Sequence, residues 1–194
     1  MQWFERNWML AGATSAVLLL ALAPLMGASW PVAMLAVYLQ LPFYMLHQVE
    51  EHYGDRFRKF FNEFIAGGLP ALTTPVAVLI NVPGVWGVDL ISIYLARFVD
   101  IGLGLIAVYL MLVNAITHII AAIILRRYNP GLVSAIVLFI PASVWAIVAI
   151  SAVPGVDATD HAIGLGIAVA MHVAIVVYMK IRVHILTRTP LAAA

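Results

Sequence analysis

The sequence predicts an all-α fold: a polytopic membrane helix bundle of about six transmembrane helices, with an amphipathic surface helix after the second, in one integral membrane domain spanning residues 1–194. Three observations predict it. First, 64% of the 194 residues are hydrophobic and 10% are charged, where soluble domains carry about 25% charged residues; the mean hydropathy is +1.05. Second, apolar runs of the roughly 20 residues needed to cross a bilayer recur along the chain. Third, the basic residues sit at alternate ends of those runs. The net charge of +1 points away from a nucleic-acid partner. With no cysteine, disulfides, thiolate metal ligands and a Cys nucleophile are excluded.

The first span is predicted over about 8–28, with Trp3 and Trp8 as interfacial aromatics. Ala21-Leu22-Ala23 resembles a signal-peptide cleavage site, but Pro24 would follow the cut, so a retained span is the better reading. After the Ser29-Trp30-Pro31 turn, span 2 covers about 31–53 and ends at Gly54. Residues 56–65 are too charged to cross. Phe57, Phe60, Phe61 and Phe64 repeat at i, i+3, i+4 and i+7 among Arg58, Lys59, Asn62 and Glu63, which predicts an amphipathic helix on the membrane surface.

Span 3, about 69–96, is interrupted by Pro75, Asn81 and Pro83-Gly84, and crosses either as one broken helix or as a half-helix with an interfacial piece. Span 4 covers about 101–125 and stops at Arg126-Arg127, followed by Asn129-Pro130-Gly131 turn chemistry. Span 5 covers about 132–153, kinked at Pro141, and span 6 about 162–179. Asp89, Arg97 and Asp100 are expected to form a structural ion pair. His161, His184 and Asp157 are expected in water, with Asp160 favoured near the N-terminus of span 6.

With six spans, both termini and the connections 2–3 and 4–5 share one side. That side holds nine of the ten Lys and Arg: Arg6, Arg56, Arg58, Lys59, Arg126, Arg127, Lys180, Arg182 and Arg188. The positive-inside rule makes it the cytoplasmic side, and the expected location is a bacterial-type cytoplasmic membrane with both termini cytoplasmic.

Depth then gathers the polar residues. His47 lies nine residues before Arg56, His118 eight before Arg126 and His172 eight before Lys180. At 1.5 Å per residue, all three sit about 12–14 Å inside the cytoplasmic boundary. Glu50 and Glu51 are slightly shallower, and Asn114 is one turn deeper than His118 on its face. On span 2, Gln40, Tyr44, His47 and Glu51 fall within about 60° of one another, whereas His52 points well off that face. Ionisable groups at membrane depth are costly and mark function.

Three imidazoles with one or two carboxylates match a divalent metal site, zinc ahead of iron. In this reading His47, Glu51, His118 and His172 are metal ligands. Glu50 and Glu51 are candidates for the base, and Asn114 and Tyr44 orient substrate. Two carboxylates are too few for a di-iron carboxylate site. The same residues also suit metal-free acid–base chemistry, with a composition similar to the CAAX-type glutamate intramembrane proteases. Those proteases place an Arg where this chain has Asp55, with Arg56 one position late.

The set also resembles a known family. His47-Gln48-Val49-Glu50-Glu51 matches the motif that names the HXXEE membrane proteins. Asn114-x-x-x-His118 followed by Tyr128-Asn129-Pro130-Gly131 resembles that family's later pattern, in order, with His172 a further His in the last span. The resemblance covers about residues 40–175. It implies a small polytopic membrane protein and draws attention to His47, Glu50, Glu51, Asn114 and His118; the family's function is unknown. The expected function is a membrane metal-dependent hydrolase of a lipid or isoprenoid substrate that enters past the Phe-rich helix, with membrane lipids as neighbours. Non-haem iron oxidation, haem binding by a His pair, lipid binding and proton-coupled transport are the alternatives.

Overall fold

The computed structural model describes residues 2–188, without the side chains of residues 2–4 and 6; the predicted roles of Trp3 and Arg6 therefore lie outside the described residues. Every regular element among them is helical, and six helical stretches are long and apolar enough to cross a membrane.

Helix α1 (Gln2–Gly27) leads through a tight turn, with Trp30 N donating to Met26 O at 2.7 Å, into α2 (Val32–His52). The two differ in surroundings. Only 11% of the most apolar stretch of α1 is buried, against 67% for α2. α2 is the axis of the bundle, touching α1 and the helices of spans 3, 4 and 5. Pro42 stands near its middle.

Gly54 and Asp55 both adopt left-handed backbone, which reverses the chain into α3 (Arg56–Phe60) and a wider helical turn over Phe61–Ile65. Arg58 closes this reversal by pairing with Asp55. The Phe-rich stretch is not simply a surface helix. Phe60 is buried, Phe57 and Phe61 face a cavity, and exposed Phe64 lies 4.0 Å beneath the Arg127 guanidinium. Its aromatic side finds the bundle interior, a better apolar partner than an interface.

Span 3 is one broken helix. It starts at Thr74, later than the predicted 69, because Asn62 holds the backbone of Leu72 through both its N–H and its carbonyl, at 2.8 and 2.9 Å. α4 (Thr74–Leu79) accepts Pro75 in its first turn, where the missing N–H costs nothing. Pro83 has no N–H for the ladder, so Ile80–Trp86 widens into π geometry before α5 (Gly87–Phe98) resumes.

α6 (Leu105–Leu125) ends at Arg126, whose left-handed backbone donates its N–H to Ala122 O. Span 5 is α7 (Leu132–Ser134), a wide turn over Ala135–Phe139, and α8 (Ile140–Ser151) with Pro141 in its first turn. α9 (Ala158–Arg188) is longer than predicted at both ends and packs on α6. It starts early because Asp157 accepts from Thr159 N while Asp160 accepts from Asp157 N, a reciprocal cap.

The expected ion pair among Asp89, Arg97 and Asp100 does not form. Asp100 caps the Gly102 N–H at 2.7 Å, Arg97 leans on the Phe98 ring, and Asp89 is turned fully inward. His161 is not free in water either: it bonds the Tyr109 hydroxyl at 2.8 Å and the Ser151 hydroxyl at 3.0 Å.

Candidate metal centre

Glu51, near the C-terminal end of α2, stands between two imidazoles. Its Oε2 is 3.7 Å from His47 Nε2, one turn away on the same helix, and its Oε1 is 3.6 Å from His118 Nε2 on α6. All three side chains are buried, and one ligand atom from each lies within 4.8 Å of the others. These separations are too long for hydrogen bonds. They approach the roughly 3.4 Å edge of a tetrahedron of N and O ligands about 2.1 Å from a metal.

The hydrogen bonds around the cluster decide which nitrogens carry protons. Ser134 Oγ lies 2.5 Å from Glu50 Oε2 and 2.8 Å from His47 Nδ1. Its one proton goes to the carboxylate, so His47 Nδ1–H donates to Ser134 and Nε2 keeps its lone pair. Asn129 donates its amide to His118 O at 2.9 Å, which turns its Oδ1 toward His118 Nδ1 at 2.6 Å. In the neutral ring this leaves the His118 lone pair on Nε2. Two bare nitrogens and a carboxylate facing one another repel unless a cation lies between them.

Each of the three has an orienting partner. His47 has Ser134 and Glu50, His118 has Asn129, and Glu51 has His52, whose Nε2 is 3.1 Å from Oε2. Partners of this kind fix ring orientation at metal sites. The Glu pair is thus divided: Glu51 faces the imidazoles, and Glu50 faces the loop, accepting from Tyr128 OH at 2.7 Å, Val133 N at 3.2 Å and Ser134 N at 2.7 Å. The Tyr128 hydroxyl is held above its ordinary value by burial and then by this carboxylate, which keeps it a donor.

Gly131 completes the fit. Its φ is +99°, and a Cβ there would come within 2.7 Å of His118 Cε1 and 2.9 Å of His47 Cε1. The Tyr128–Gly131 turn and the His47–Glu51 pentad are two halves of one structure.

The remaining predicted residues surround it. Tyr44 is buried, its ring edge-on to His47 at 5.9 Å. Asn114 and His172 line a cavity of about 650 Å³ that reaches Glu51 and His118. His172 is not in the three-residue group. Its Nδ1 donates to Ala168 O at 2.8 Å, which holds the ring against α9, and α9 lies behind α6 rather than beside α2. His52, set aside on helical-wheel grounds, touches Glu51 directly, because φ −108° and ψ −9° at the end of α2 swing it out of register. Ser134 carries no signal of its own in the sequence, and Asn129 stands out there only through turn chemistry and the Tyr128-Asn129-Pro130-Gly131 stretch of the family resemblance. Phe57 roofs the site, 5.7 Å from the His52 ring and 6.1 Å from His118. Gln48 ties α2 to span 3, donating to Asn81 Oδ1 at 2.8 Å and accepting from Trp86 Nε1 at 2.5 Å.

No curated protein and no solved structure matches the chain. The family described as "protein of unknown function with HXXEE motif" matches residues 38–146, which holds the cluster and the loop that orients it and stops short of His172. With more than half its length inside that match, the chain belongs to the HXXEE family.

Proposed function

We propose that the protein is an integral membrane metal-dependent hydrolase acting on a lipidic or isoprenoid substrate. The observation that carries this is the convergence of the His47 and His118 lone pairs on Glu51, each held by its own buried partner. Two imidazoles and a carboxylate are a catalytic zinc donor set, leaving one position for water; a divalent metal there supplies an activated water near neutral pH. His172 and Asn114 line the same cavity, and in this reading they take a proton and hold a developing oxyanion. Glu50 acts as a positioning residue through Ser134, not as the base. A cavity of about 650 Å³ is of small-molecule size. Its walls carry Phe57, Phe60, Phe61, Leu72, Ile175 and Val183, which favours an acyl or isoprenoid chain. The positive-inside rule, applied to the basic ends of the helices, supports a cytoplasmic-side site.

The test is elemental analysis of purified protein, followed by assay against lipid esters and isoprenoid substrates. The expected result is stoichiometric divalent metal, lost in His118→Ala. Folded, active, metal-free protein overturns it. That outcome promotes a metal-free acid–base reading, which the 3.1 Å contact between His52 and Glu51 favours.

A further inference from the structure

A second buried polar layer lies nearer the other face of the bundle. Gln40 on α2, Asp89 on α5 and Ser143 on α8 are each 0% exposed. Gln40 Oε1, both Asp89 carboxylate oxygens and Ser143 Oγ hydrogen-bond to no described residue. The Gln40 amide cannot be turned the other way without loss, since its Nε2 donates to Ala36 O at 2.8 Å.

Two features argue that the three side chains share one layer. The first is register. Gln48 bonds Asn81, and Ser134 contacts His47 and Glu50. Gln40 is eight residues before Gln48, Asp89 eight after Asn81 and Ser143 nine after Ser134. Spans 3 and 5 run antiparallel to span 2, so Gln40 rises about 12 Å from the first layer at 1.5 Å per residue, and Asp89 and Ser143 rise by a similar or slightly smaller amount, since part of each stretch has π geometry.

The second feature is packing. Residues four before and four after each one share its helical face. For Gln40 these are Ala36 and Tyr44, for Asp89 they are Ile93 and Val85, and for Ser143 they are Ile147 and Phe139. Ala36 and Ile93 belong to one apolar cluster, against which partly buried Ile147 packs. Tyr44, Val85 and Phe139 belong to another. The polar triad is the layer between them.

The geometry points to a cation-binding site formed by Gln40, Asp89 and Ser143, separate from the His/Glu centre and taking a monovalent alkali cation. The donors are all oxygens, which selects a hard ion. One carboxylate supplies one negative charge, so a single positive charge leaves the dry interior neutral, and a divalent ion does not. An isolated carboxylate at this depth is too costly to stand alone. Gln40 Oε1 and Ser143 Oγ are neutral donors that complete its coordination.

The full-length chain in detergent tests this by thermal unfolding in NaCl, KCl or choline chloride at equal ionic strength, with and without a chelator of divalent metals. The expected result is a saturable rise in Tm with NaCl or KCl that choline does not give and the chelator does not remove. Binding of ²²Na⁺ competed by the effective salt supports it directly. Asp89→Asn is expected to abolish the response while keeping any divalent metal bound at His47, Glu51 and His118, so this site and that centre succeed or fail separately. If Asp89→Asn does not fold, Ser143→Ala decides, with half-saturation moved about tenfold higher, as for loss of one supporting group. Equal stabilisation by choline, a response unchanged in Ser143→Ala, or dependence on pH alone overturns the proposal.

Discussion

The two polar layers of α2 differ in how they are held. The inner layer is braced: His47, Glu51 and His118 each have a dedicated hydrogen-bonding or charged partner, and two of those partners, Ser134 and Asn129, come from one connection, residues 126–134. The outer layer, Gln40, Asp89 and Ser143, has oxygens with no such partner. Bracing costs several further polar residues and a loop with left-handed backbone, and it pre-orients a site whose ligands must meet at fixed angles. An alkali cation accepts looser oxygen geometry and makes no such demand. On the two proposals, the contrast separates a centre for chemistry from one for charge balance.

The sharpest way to break the comparison is to remove the inner ligands. His118→Ala and Glu51→Gln are each expected to take bound metal from stoichiometric to none, read by elemental analysis on folded protein. Gly131→Ala should come next. A Cβ at φ +99° against both imidazoles is expected to cost about 2–5 kcal/mol and to weaken the metal site with it, read by denaturant unfolding in micelles. Bracing itself is tested by Ser134→Ala and Glu50→Gln. These should leave the fold intact and weaken metal affinity about 10–100-fold, read by competition with a chelator; unchanged affinity would erase the distinction between the layers. The smallest effect belongs to Tyr128→Phe, about 0.5–1 kcal/mol of stability. Because the folded-state value of Tyr128 lies above the ordinary value of a tyrosine, its contribution should persist through neutral pH and fade only as the solution becomes more alkaline than that ordinary value. A pH titration of the difference between wild type and Tyr128→Phe checks the sign.

Most of the inner layer was legible because depth is a linear quantity. Counting inward from basic residues set His47 and His118 at one level, and helical periodicity set Glu51 on the face of His47. What counting does not carry is azimuth between helices. His172 has the right depth, but its helix backs α6, and nothing in its own sequence says so. His52 failed for the opposite reason: the helical wheel presumes regular backbone, and α2 distorts where His52 ends it. Ser134 and Asn129 became partners through a non-local fold of the 126–134 loop. Asp89 was misread as half of an ion pair, because sequence proximity to Arg97 hides that α5 turns one residue inward and the other out.

Pro42 lies between the two layers of α2. A proline at that point leaves the Tyr38 carbonyl without its donor and removes one rung from the helix ladder. Mechanically, the central rod has a soft joint two residues beyond Gln40 and five short of His47. The half of α2 that carries Gln40 and the half that carries His47 and Glu51 are therefore joined by a helix ladder one rung short.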